Sequence, residues 1–235
     1  MLVLTRRDVY ELVPMSDAIE LVKRAFRDLS GGMAHAPLRT PIEIPDAHGT
    51  TLFMPAFVPS LQGLGLKVVS VFPDNPARYG KPTIHAAVLT VSPETGEPNA
   101  LLDGTYLTAL RTGAASGAAT DLLARPDART LLVIGAGAQG PTQAWAVLCV
   151  RPIETIYVFD RNSQASESFA DRLRELVPDL RARVEVVEHL EAVLPYVDVI
   201  CTATTARSPL FPDSLVPDGV HINAIGAFTP EMQEI

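Results

Sequence analysis

The run Gly135-Ala136-Gly137-Ala138-Gln139-Gly140 sets three glycines in the spacing G-x-G-x-x-G, directly after an unbroken apolar stretch, TLLVIG at residues 130–135. Residues 139–150 have the pattern of a helix, and residues 155–160, TIYVFD, form a second apolar stretch. The glycine spacing alone is a weak signal. A strand, this turn, a helix and another strand in that order make the pattern of a βαβ unit that binds a dinucleotide. Gly135 permits the tight bend, Gly137 lets the backbone approach a pyrophosphate, and Gly140 lets the helix pack close to the strand. Ala138 and Gln139 lead into the helix, where unpaired N–H groups and the helix dipole favour phosphate. A close turn with no ligand is the competing reading, and the flanking βαβ order weighs against it.

The acidic residue that bonds the adenosine ribose in such sites falls at Asp160, 20 residues beyond Gly140. Arg161 follows at once, and a guanidinium there suits a 2′-phosphate, so NAD and NADP both stand as cofactors. The alternation then continues: residues 163–176 as helix, 183–187 as strand, 190–194 as a short helix, 197–202 and 220–225 as strands. Alternating buried strands and helices give a parallel sheet covered on both faces. Thr202-Ala203-Thr204 follows the fourth strand of this sheet, and Asn223 and Ile225 lie at the end of the fifth. Carboxyl ends of strands are where an open α/β sheet receives ligands, so Thr202, Ala203, Thr204, Asn223 and Ile225 join the candidate cofactor site.

The first half reads differently. Ile19, Val22, Ala25, Phe26 and Leu29 keep helical spacing up to Gly31, after a start near Ser16 that has a displaced capping box. Pro37, Pro41, Pro45, Pro55, Pro59, Pro73 and Pro76 leave room only for short extended pieces, the best of them residues 64–72. Residues 84–91 and 99–103 flank the turn residues 92–96, a hairpin. An Ala-rich helix from Leu107 to Ala124 is stopped by Pro126, which sets the boundary between residues 1–125 and 126–235. The fold class is therefore α/β: a Rossmann-type doubly wound parallel sheet behind an N-terminal α+β domain.

Composition narrows the partners. Nineteen Lys and Arg against 27 Asp and Glu give a net charge of −8, which excludes the broad basic surface that binds nucleic acid. Cys149 and Cys201 are too few for a disulfide framework, and both lie in apolar surroundings that suit reduced thiols. Arg6, Arg7, Asp8 and Glu11 interrupt the apolar start, and no later segment reads as a membrane span. A cytoplasmic protein without a membrane partner is expected. His35, His48, His85, His189 and His221 show no metal-ligand spacing, so no metal is expected.

A nicotinamide needs a substrate beside it, and two cations stand out. Lys67 interrupts the apolar run GLGLKVVS, and Arg111 is the one charge in LTALRTGAAS. Lys67 either snorkels to water or faces a charged group. Arg111 either lies on a solvated helix face or offers its planar fork to a carboxylate or phosphate.

These segments together resemble the ornithine cyclodeaminase and mu-crystallin family: the Arg39 segment before Met54-Pro55-Ala56, GLKVVSVFPDNP, SPETGEPNALLDG, LTALRTGAAS, IGAGAQG, TATT and HINAIGAF. The resemblance implies a substrate and dimerisation domain joined to a Rossmann domain, usually in a homodimer. It implies that Arg39 and Lys67 bind the carboxylate and reacting region of a small amino or imino acid. Arg111 would sit between substrate and nicotinamide, and Thr83 would contact the cofactor.

Two departures bear on the chemistry. The position of the proton-handling aspartate of ornithine cyclodeaminases holds Phe228, and a later lysine of that pattern is Met232. A phenyl ring accepts no proton, which favours the branch of ketimine reductases and alanine dehydrogenase, an NAD(P)-dependent oxidoreductase. Ornithine cyclodeaminase and a catalytically silent NAD(P)-binding protein are the alternatives. Family members also continue past the point corresponding to Ile235, so the Rossmann domain is expected to be shortened at its C-terminus.

Overall fold

The computed structural model describes residues 1–227, 230 and 232–235. The chain divides into two compact units, Met1–Thr108 and Ala109–Ile235.

The first unit opens with β1 (Leu2–Leu4), α1 (Arg6–Leu12) and α2 (Met15–Ser30). β2 (Thr40–Ile44), β3 (Gly49–Val58), β4 (Gly63–Val71), α3 (Asn75–Tyr79), β5 (Ile84–Val91) and β6 (Pro98–Asp103) follow. The six strands form one sheet in the order β1-β6-β5-β4-β3-β2, antiparallel except where β1 joins β6. The hairpin expected at residues 84–103 is β5–β6.

Two local expectations are corrected. The capping box lies one helix earlier than Ser16: the Asp8 N–H donates to the Thr5 hydroxyl, and the Thr5 N–H donates to the Asp8 carboxylate at 2.7 Å, opening α1. α2 starts behind Pro14, whose restricted φ sets the entry without a side-chain cap. The prolines also do not confine the chain to short strands, because β3 runs ten residues through Pro55. Its neighbour β2 ends where Thr40 meets Phe53, and Phe57 bonds His35 on that same side. The N–H that Pro55 lacks therefore falls in a gap where no strand asks for it.

α4 (Gly104–Leu123) spans the sequence boundary between the units. The second unit continues with β7 (Thr130–Ile134), α5 (Gly140–Val150), β8 (Thr155–Phe159), α6 (Ser163–Glu167), α7 (Phe169–Leu176), β9 (Arg183–Val186), β10 (Val199–Thr202) and β11 (His221–Ala224). The strands lie parallel in the order β11-β10-β7-β8-β9. Period-two alternation divides their side chains between two cores. Leu131, Val133, Ile156, Val158, Val199 and Cys201 pack with Ala144, Val147, Phe169 and Leu173 on one face. Leu132, Ile134 and Ile200 pack with Leu190, Leu194 and Phe211 on the other.

The helix expected over residues 163–176 is broken at Ser168 into α6 and α7. The Ala165 carbonyl accepts from the Ser168 hydroxyl at 3.2 Å and from Arg172 at 2.9 Å, side-chain donors that compete with the backbone bond at that turn. From β7 the chain winds through β8 to β9, then returns to lay β10 on the other side of β7. The crevice at the carboxyl ends of β7 and β10 is thus the topological switch point, the place where such sheets take ligands.

Candidate functional site

The glycine turn sits at that switch point, and its three glycines answer to different constraints. Gly135 adopts φ +103°, and a Cβ there would lie 2.5 Å from the Ala203 carbonyl oxygen. A Cβ at Gly140 would lie 2.6 Å from the Gly135 carbonyl oxygen and 3.1 Å from the Phe169 ring. Packing within the protein accounts for both. A Cβ at Gly137 would meet nothing within 4 Å, so no contact among the described residues requires glycine there.

The turn is braced from behind. Asp160 accepts the Ala136 N–H at 2.7 Å and the Asn162 N–H at 2.9 Å. Arg172, on α7, donates to the carbonyls of Ala136 at 2.5 Å and Gly137 at 3.1 Å. Desolvation lowers the Arg172 pKa, with Asp160 and Glu175 opposing that shift. With those carbonyls turned to Arg172, the N–H groups of Gly137, Ala138 and Gln139 have no acceptor among the described residues. Gly137 and Ala138 are exposed. Unpaired N–H groups at the start of a helix, next to open space at a glycine, fit a pyrophosphate.

Asp160 marks the end of β8, and Arg161 beside it is exposed. A cleft of about 270 Å³ lies here, with Phe159, Arg161, His189 and Leu190 in its lining. On the other side of the switch point the loop after β10 is pinned. The Ala203 N–H donates to the Ile134 carbonyl at 2.7 Å, and the Ile225 N–H to the Thr202 carbonyl at 3.1 Å. The hydroxyls of Thr202 and Thr204 each donate to the Glu234 carboxylate at 2.7 Å. Asn223 is buried, and its amide donates to the Thr120 hydroxyl at 2.9 Å and the Cys201 sulfur at 3.5 Å, and lies 3.2 Å from His221. It therefore fastens α4 to the sheet. Burial is the main cause that lowers the His221 pKa, and burial raises the Cys201 thiol to about 12, an inert thiol at neutral pH.

In the first unit, Lys67 lies at the middle of β4, between Met54 on β3 and Val88 on β5, and is half-buried. Thr83 immediately precedes β5, its carbonyl accepting the Phe72 N–H at 2.8 Å. Arg39 is exposed just before β2. Arg111, on α4, is exposed yet loses enough hydration to neighbouring protein that its pKa falls below the usual arginine value. No carboxylate among the described residues pairs with it. Phe228, with Thr229 and Glu231, lies outside the described residues, and Met232 is half-buried.

The second unit thus brings Gly135–Gly140, Asp160, Arg161, Thr202, Ala203, Thr204 and Ile225 along one edge of the parallel sheet. Sequence reasoning missed Arg172 and Glu234. Both act on backbone groups far away in the chain, and no local spacing announces such a contact.

The family model for the ornithine cyclodeaminase/mu-crystallin family matches residues 1–235. A Δ1-pyrroline-2-carboxylate reductase of Bacillus cereus is 39% identical over 235 residues, all of this chain and 71% of that protein. The structure of the Thermococcus litoralis Δ1-pyrroline-2-carboxylate reductase in complex with NADH and L-proline superposes with a TM-score of 0.91 at 40% identity, covering 100% of this chain and 72% of that one. An archaeal alanine dehydrogenase dimer with bound NAD superposes at 0.89 with 35% identity, over 100% of this chain and 70% of that one.

Proposed function

The chain belongs to the ornithine cyclodeaminase/mu-crystallin family, and from that premise we propose that it reduces a small cyclic or open-chain α-imino acid to the corresponding amino acid. It is an NAD(P)-dependent oxidoreductase acting on a small imino or amino acid. The observation that carries the reading is the seat at Gly137, where unpaired N–H groups and unfilled space occur together at the switch point.

When bound, the nicotinamide supplies or takes up the hydride. The remaining work falls to side chains. Arg39 and Arg111 hold the substrate carboxylate; Arg111, which pairs with no carboxylate among the described residues, is available for one brought by a ligand. Lys67 gives a proton to the imine nitrogen as the α-carbon gains hydride, and takes it back from the amine in reverse. Thr83 lies against the cofactor. Gly135, Gly137, Ala138, Gln139 and Gly140 seat the pyrophosphate, Asp160 and Arg161 face the adenosine ribose, and Thr202, Ala203, Thr204 and Ile225 edge the nicotinamide half. Asn223 serves that edge from within, by fixing β11. A homodimer forms through the first unit; the archaeal alanine dehydrogenase relative is itself a dimer.

The test follows NADH and NADPH absorbance with Δ1-pyrroline-2-carboxylate, and with pyruvate plus ammonia. Oxidation of either cofactor is expected, with kcat reduced about 100-fold in Lys67→Met. Ammonia and proline released from ornithine, with no net cofactor consumption, overturn the reading in favour of a cyclodeaminase. Tight cofactor binding with no turnover of any substrate overturns it in favour of a binding protein.

A further inference from the structure

Glu234 has no part in the reading so far, yet its carboxylate accepts four hydrogen bonds. Its side chain is buried, with 2% of the residue exposed. One oxygen accepts the Thr204 N–H at 2.6 Å and the Thr204 hydroxyl at 2.7 Å. The other accepts the Thr202 hydroxyl at 2.7 Å and the Gly226 N–H at 2.7 Å. Both oxygens thus take two donors each, none of them a charged side chain. The donors come from two separate segments, the loop after β10 and the loop after β11, so one side chain ties together the two carboxyl-terminal loops on one side of the switch point. Gly226 conforms to this arrangement: a Cβ there would lie 2.3 Å from a Glu234 carboxylate oxygen.

A dinucleotide across a switch point places its adenosine half toward the strand that ends in the acidic residue, here β8 with Asp160, and its other half over the strands beyond. The loops bracketed by Glu234 belong to that second side. We propose that Glu234 is a positioning residue for the nicotinamide half of the cofactor: its buried carboxylate fixes the Thr202–Thr204 and Gly226 segments as one rigid edge against which the ring is held. The proposal rests on the dinucleotide seat described above.

The experiment compares NADH with ADP-ribose, which carries the adenosine and pyrophosphate but no nicotinamide. Binding of both probes by the unaltered chain tests the seat, and the change in their ratio tests Glu234. In Glu234→Gln one backbone N–H faces an amide that offers it no acceptor, so NADH affinity is expected to fall about tenfold while ADP-ribose affinity stays within about twofold. Gly226→Ala disturbs the same bracket from the other side, since the added carbon would meet both the Glu234 carboxylate and the Thr204 carbonyl of the bracketed loop, and should give the same selective loss. Should Glu234→Gln fail to fold, the Gly226→Ala ratio decides. Equal losses for the two probes, or no loss for either, overturn the proposal, because a residue serving general stability does not discriminate between halves of one ligand.

Discussion

The glycines of the nucleotide turn separate packing from binding one residue at a time. A Gly140→Ala chain must move the Gly135 carbonyl or the Phe169 ring, since the added carbon would lie 2.6 Å and 3.1 Å from them. Overpacking of this kind costs about 1–3 kcal/mol, read as a lower denaturant midpoint. Gly137→Ala meets nothing within 4 Å. Its stability is expected to stay within about 0.5 kcal/mol of the parent, while NADH affinity falls at least about tenfold as the methyl occupies the phosphate approach. A Gly137→Ala chain that binds NADH undiminished overturns the pyrophosphate seat. At this scale the turn was legible because strand, glycines and helix are contiguous in the chain. Arg172 and Glu234 were not, because the turn carbonyls Gly137 and Ala136 lie 35 and 36 residues from Arg172, and the donors to Glu234 lie from 8 to 32 residues from it.

Between elements, a single arginine closes the end of α4. Arg151 follows α5, is buried, and donates to the carbonyls of Thr120 at 2.7 Å, Asp121 at 2.9 Å, Ala124 at 2.9 Å and Arg125 at 2.8 Å. These carbonyls belong to the last turn of a helix and the residues just beyond it, where acceptors outnumber backbone donors and a cation also meets the negative end of the dipole. Arg151→Met removes a charged donor from each of these carbonyls, of which Thr120 and Arg125 keep a backbone donor in Ala124 and Ala128, and a loss of about 3 kcal/mol is expected in chemical denaturation. Arg151→Lys, which keeps the charge but not the fork, should fall in between.

The neighbouring pair His221 and Asn223 adds a pH dependence. The folded pKa of His221 lies below its ordinary value of 6.5, chiefly through burial. In the window between the two values the unfolded chain binds more protons, so this histidine's contribution to stability is intact above pH 6.5, falls as pH drops below it, and levels off beneath the folded pKa. His221→Gln should flatten that part of the stability profile; an unchanged slope rules the linkage out. Elements were legible where apolar period decided them, as in β7, β8 and the β5–β6 hairpin. Composition misled at β3, because proline disrupts a strand only where a neighbour needs its N–H, and neighbours are not visible in sequence.

At the scale of the whole molecule the two units solve burial differently. The parallel sheet has a closed core on each face, with Leu131, Leu132, Val133 and Ile200 at 0% exposure. In the first unit the sheet is half-buried along most of its length, and Leu2, Val3, Leu12, Phe26, Leu29 and Ile42 are exposed, Phe26 at 52%. Scattered apolar residues on a surface are ordinary, and the homodimer proposed above would cover part of these. The occupant proposed is a second copy of this chain. Phe26 lies on α2 on the same face as Met15, Ala18 and Ile19, but nearer the end of the helix, where it is exposed, so a charge at position 26 falls outside the buried part of that face. Sedimentation equilibrium is expected to show a dimer at micromolar concentration for the parent chain, and an association constant about 30-fold weaker for Phe26→Glu, the loss of one aromatic anchor worth about 2 kcal/mol. Unchanged circular dichroism in the variant separates a lost contact from a lost fold. A parent chain that sediments as a monomer throughout this range sinks the dimer and leaves the exposed face of the antiparallel sheet unit without its proposed cover.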